Sequence, residues 1–129
     1  MFIFSIKNGV FILLILLSSS FAATADQAHD EKWYVNDWCS GTGQVEFILP
    51  DRTRCDCLTD THAIEFDFAS KFYEAIGQSL YYSMQTGKRA GVVLIIENKA
   101  DYRYWERLNS VIEHHQLPID TWATGAGSL

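Results

Sequence analysis

The run Val92-Val93-Leu94-Ile95-Ile96 constrains this chain more than any other stretch, because consecutive apolar residues cannot alternate between core and water. It is the mark of a strand buried on both faces, as strands are in α/β sheets. Around it the patterning sets an order of elements. Residues 30–38 read as a short helix that ends near Ser40-Gly41-Thr42-Gly43, with Trp33 and Trp38 as core or rim aromatics. Residues 44–49 alternate polar and apolar and stop at the turn signal Pro50-Asp51, and 52–58 return as a second strand. After the turn Thr59-Asp60-Thr61, residues 63–68 form a third strand with Ile64, Phe66 and Phe68 on one side and Glu65 and Asp67 on the other. From residue 69 the period is helical. Phe72, Ile76 and Leu80 form a stripe to cover the sheet, and Gly87 ends the helix. Residues 101–115 form a last amphipathic helix with Tyr104, Leu108, Val111 and Ile112 inward, and 119–123, after Pro118, add an edge strand. The expected fold class is α/β.

Residues 1–25 combine an early lysine (Lys7), an apolar run over 10–17 and small residues ending in Ala23-Thr24-Ala25, the pattern of a secretory signal peptide. The run is short for a membrane span of ~20 residues, so no stable span is expected once it is cleaved. Residues 26–129 then form a single domain, secreted or periplasmic. Without Lys7, nine of the ten basic residues face sixteen acidic ones. That balance weighs against unaided nucleic-acid binding, which depends on basic residues neutralising phosphates. Cys39, Cys55 and Cys57 all lie in the exported part, where disulfides form. On a regular strand Cys55 and Cys57 share a face and cannot easily pair, so Cys39 must reach across to one of them, Cys57 being the favoured partner.

The stretch from Arg54 to Lys71 puts Asp56 on the second strand and Glu65 and Asp67 on the third. On the following helix, Lys71, Gln78 and Tyr82 fall within about 40° of one another at ~100° per residue. Acids on adjacent strands with a lysine and a glutamine on one helix face are the layout of a divalent-metal phosphodiesterase site. The element order and these residues resemble the PD-(D/E)XK restriction-endonuclease-like nuclease superfamily. Gln78-Ser79-Leu80-Tyr81-Tyr82 fits the Q-x-x-x-Y motif of its RecB-like branch, and the resemblance covers roughly residues 31–96. The segment 56–82 is also similar to small uncharacterised bacterial proteins of this fold.

The resemblance implies a restriction-endonuclease-like core of helix, three-strand meander, helix and strand, and a site that hydrolyses nucleic-acid phosphodiesters with Mg²⁺ or Mn²⁺. It implies Asp56 and Glu65 as metal ligands with the Phe66 carbonyl as a third, Asp67 being a further candidate ligand, and Asp56, Glu65, Lys71 and Gln78 as catalytic residues. Tyr82 and Arg54 would contact substrate, and Glu31 matches a further acid of some relatives. The family pattern places its lysine two residues after the glutamate, where this chain has Asp67: either Lys71 reaches back from the helix start, as in family members whose lysine has migrated, or Asp67 is an additional metal ligand, or the site has lost its catalyst. Arg52, Arg54, Lys71, Lys88 and Arg89 are expected around the site to receive phosphates. Taken singly, these residues also fit ordinary surface roles, such as a Lys71/Glu74 helix pair.

Two functions follow: a metal-dependent nuclease, or a catalytically inactive nuclease-like binding or scaffold module in the cell envelope. A domain of this size has little surface to enclose a duplex, so a homodimer or an envelope partner is expected to complete the groove. His62 reads as a turn or rim residue, and His114-His115 as a favourable charge at a helix end.

Overall fold

Asp30 starts the first helix by accepting the Trp33 N–H at 2.8 Å, so α1 spans Glu31–Cys39. The computed structural model describes residues 29–128, and the expected signal peptide lies outside the described residues. Strands β1 (Gly43–Ile48), β2 (Arg54–Thr59) and β3 (His62–Phe68) follow, then a 3₁₀ turn (Ala69–Lys71) and helix α2 (Phe72–Thr86). Gly87 ends α2 at φ 70°, a left-handed conformation glycine adopts at least cost, and its N–H bonds the Ser83 carbonyl. Strand β4 (Arg89–Ile95), α3 (Tyr102–His115) and β5 (Ile119–Thr124) complete the chain.

The strands make one five-stranded mixed sheet in the order β1-β2-β3-β4-β5. The first three are antiparallel, whereas β4 and β5 run parallel to β3 through the α2 and α3 crossovers. Side chains alternate along β4. Val92, Leu94 and Ile96 pack with α2 and α3 residues such as Phe72 and Leu108, while Val93 and Ile95 pack with Tyr34 and Val35 of α1. Covering both faces makes the continuous apolar run of β4 stable as a strand. The α2 stripe is turned from its expected position. Phe72, Ala75, Ser79 and Tyr82 are buried, while Ile76 and Leu80 are only partly so.

The expectation that Cys55 and Cys57 share a face is also corrected. Val45 and its partner Cys57 face the α1 cluster, but Phe47 and its partner Cys55 pack with Leu49, Ala63 and Tyr82. The reversal falls at Glu46 (φ 52°) and Asp56, where the regular alternation of both strands is interrupted. Cys39 is bonded to Cys57, and Cys55 is a buried thiol. Burial pushes that thiol up to about 12, which leaves it protonated and inert. A disulfide fits an exported protein. No helix among the described residues is long and apolar enough to cross a membrane.

Gly91 tests the packing of this face. A Cβ there would stand 2.9 Å from the Trp122 ring and 3.0 Å from Ile64. Gly91→Ala is therefore expected to destabilise by about 1–3 kcal/mol through overpacking, read from the denaturation midpoint. An unchanged midpoint would show that Trp122 moves freely.

Candidate functional site

The β2–β3 ladder stops after Cys57↔Ile64, and β2 separates from β3 just where Asp56 and Glu65 would have been opposite each other. Side chains bridge the opening. The Phe66 N–H donates to Asp56 Oδ2 at 2.9 Å, and the Asp56 N–H donates to Glu65 Oε1 at 3.3 Å. Asp56 thus satisfies a backbone donor that a continued ladder would have paired. Glu65 and Asp67 sit opposite Val92 and Leu94 in the β3–β4 register, so they point towards the α2 side of the sheet. Both are buried, at 3% and 5% exposure.

A cleft of about 580 Å³ opens over the split. Asp56, Glu65, Phe66 and Asp67 line it from the strands, Glu31 from α1, and Lys71, Glu74, Gln78 and Tyr82 from the α2 side. Arg52, Arg54 and Ile48 line it from the β1–β2 hairpin. The hairpin loop is fixed to α2 by the Tyr81 hydroxyl, which donates to Asp51 and accepts from Gln85. Asp56, Glu65, Asp67, Lys71, Gln78, Tyr82 and Arg54, which the sequence placed together, all line this one cleft. Tyr82 contributes only an edge, since its ring is buried against Leu49, Cys55 and Ala63. Arg54 approaches Glu46 at 4.0 Å in an exposed pair of small energetic weight.

Lys88 and Arg89 are not around this cleft, contrary to expectation. Because β4 is parallel to β3, it begins beside His62, at the far end of β3 from Asp67. There Lys88 Nζ donates to the Asp60 carbonyl and Arg89 binds Asp120. Glu74 is the cleft acid that the sequence reading gave only a surface role. Its signal was its spacing, three residues after Lys71 and four before Gln78, which puts it on the same helix face.

The electrostatics follow from burying acids together. Burial, then the neighbouring Asp56 charge, pushes Glu65 up to about 10. Burial also raises Asp56, although the Phe66 N–H opposes the shift. Asp67 is pushed up to about 7 by burial and then by Glu31 and Glu74, with Lys71 pulling the other way. Glu31 is raised by burial first and Asp56 second. These groups need a proton or a cation to be buried together.

The donors, carboxylate oxygens and the Phe66 carbonyl, are of the type a hard divalent ion takes. As positioned, no group of three or more His, Cys, Asp or Glu among the described residues is gathered closely enough to hold a metal ion. Asp56 and Glu65 instead each accept a backbone N–H, from Phe66 and from Asp56 respectively. Comparison of the chain with protein-family models, curated proteins and solved structures finds no match.

Proposed function

We propose that the sheet and its helices form a restriction-endonuclease-like core, and that the cleft is the divalent-cation-dependent phosphodiesterase site of a secreted or periplasmic nuclease. The observation that carries the proposal is the half-buried Asp56 carboxyl set beside the buried Glu65 carboxyl where β2 leaves β3, with Lys71 and Gln78 in the same cleft. Asp56, Glu65 and Asp67 would hold Mg²⁺ or Mn²⁺, which when bound polarises a phosphate and lowers the pKa of a water. Lys71, close enough to Asp67 to act on its titration, would offset the charge developing on the phosphoryl oxygens. Gln78 would hydrogen-bond the attacking water, and Arg52 and Arg54 on the rim would receive the flanking phosphates.

A second reading, a nuclease-like binding or scaffold module without catalysis, is favoured by one feature. The position that carries the family lysine is the buried acid Asp67. Calorimetric titration of Mg²⁺ and Mn²⁺ into the oxidised protein, beside an Asp56→Ala/Glu65→Ala variant, separates the two. Saturable binding is expected in the native protein and is expected to be lost in the folded variant, with phosphodiester cleavage following metal loading. Folded native protein that takes up neither ion would leave the binding module. Binding at neutral pH should also release protons, because the ion displaces those held by Glu65 and Asp67. Titrations in buffers of different ionisation enthalpy would measure that release, and heats independent of buffer would contradict it.

A further inference from the structure

At the opposite end of the sheet from the acidic cleft lies a second one, of about 500 Å³. Its apolar wall is Trp38 and Trp122, whose ring centres are 5.7 Å apart at 57°, with the His62 ring edge-on to Trp122 at 5.3 Å. Gly91 lets Trp122 lie directly over β4, since any Cβ there would meet its ring. His62 is locked at both nitrogens: Nε2 lies 2.7 Å from Asp120 Oδ2 and Nδ1 lies 2.7 Å from Thr61 Oγ1. Arg89 and His62 hold the Asp120 carboxyl below its usual range, so it is ionised and accepts from Nε2–H.

The polar rim of this cleft is the carboxylate of Asp60, which makes no ion pair among the described residues, flanked by the hydroxyls of Thr42, Thr59 and Thr61, which also bond the Cys39 carbonyl, the His62 N–H and His62 Nδ1 respectively. No cation is left for an anionic ligand. Arg89 is committed to Asp120 through two hydrogen bonds, and Lys88 to the Asp60 carbonyl. The two indoles, in contact at a steep tilt, form one angled wall and leave no parallel slot for a flat base. An aromatic wall with neutral hydroxyls and one carboxylate suits a ligand with a C–H face and a hydroxyl edge. Polarised C–H groups are attracted to the negative ring face, and a carboxylate accepts strongly from paired hydroxyls.

We propose that this cleft is a binding site for an uncharged saccharide, separate from the acidic cleft. The test is an array of uncharged glycans probed with the oxidised protein, followed by titration of a retained glycan while tryptophan fluorescence is recorded. Retention is expected, with a change in indole emission. Asp60→Ala, an exposed rim substitution that leaves the core untouched, should weaken binding by about tenfold. Trp122→Ala should abolish it, and Asp56→Ala/Glu65→Ala should leave it unchanged. The proposal is overturned if no uncharged glycan is retained, if binding is undiminished in Asp60→Ala and in folded Trp122→Ala, or if thymidine monophosphate displaces the glycan from the native protein.

Discussion

Raising the pH from about 5 to about 8 in a chelating buffer is expected to lower the melting temperature by roughly 10 °C, and Glu65→Gln is expected to remove most of that fall. The cause is the burial of the acids. In the unfolded chain Glu65 and Asp67 lose their protons near 4.5 and 3.8, but in the folded protein they hold them to about 10 and about 7. Between those limits the folded state binds more protons, so stability falls as the pH rises. The Asp67 contribution is exhausted near neutrality, and that of Glu65 continues above it. Discounted for the coupling between neighbouring acids, the loss by pH 8 is on the order of 2 kcal/mol. Glu65→Gln keeps the shape but not the titration, so it should melt higher than the native protein at the upper pH and close to it at the lower. Mg²⁺ added at the upper pH should recover the loss in the native protein only, because a cation replaces the missing proton. Calorimetric melts across the pH series provide the check. A melting temperature that climbs with pH would mean the cleft acids are solvated and the electrostatic account of the site is wrong.

The same residues show how far the sequence reaches. The run from Val92 to Ile96, the glycine at position 87 and the turn before His62 are local signals, and each sits in the structure where local chemistry requires. The cleft face of α2 was legible only in part: helical spacing puts Glu74 and Gln78 on it, whereas Lys71 ends the 3₁₀ turn before α2 and Tyr82 turns its ring into the core. The buried face was less so. Ala75 and Ser79 are the residues of closest approach to the sheet, and their small side chains give little hydrophobic signal beside Ile76 and Leu80, which pack at the margin. The reversal of strand faces at Glu46 and Asp56 carried no signal at all. No glycine marks it, and a two-residue alternation read through that point assigns Cys55 to the wrong side. Lys88 and Arg89 were expected at the acidic cleft to receive phosphates. The parallel crossover returns the chain to the other end of β3 and carries them away.

The disulfide should contribute the largest single increment of stability. Replacing Cys39 and Cys57 by alanine is expected to cost about 3 kcal/mol, or roughly 15 °C of melting temperature, because the bond closes a loop whose ends are 18 residues apart. The position of the bond matters as much as the loop it closes. Helix α1 is only nine residues long, too short to be stable by itself, and buries Tyr34, Val35 and Cys39 against the sheet. Its last residue is tied to β2, on the strand that carries Asp56, while its first residue, Glu31, reaches the acidic cleft. Opening the bond therefore frees one end of the only element that brings Glu31 to Asp67. Amide exchange in α1 should rise more than in β4, and Asp67 should titrate nearer its ordinary range once Glu31 moves off. Denaturant midpoints of the native and double-alanine proteins measure the first effect, and NMR titration of Asp67 the second. A cost below about 1 kcal/mol with α1 still protected would mean that apolar docking through Tyr34 and Val35 holds the helix by itself.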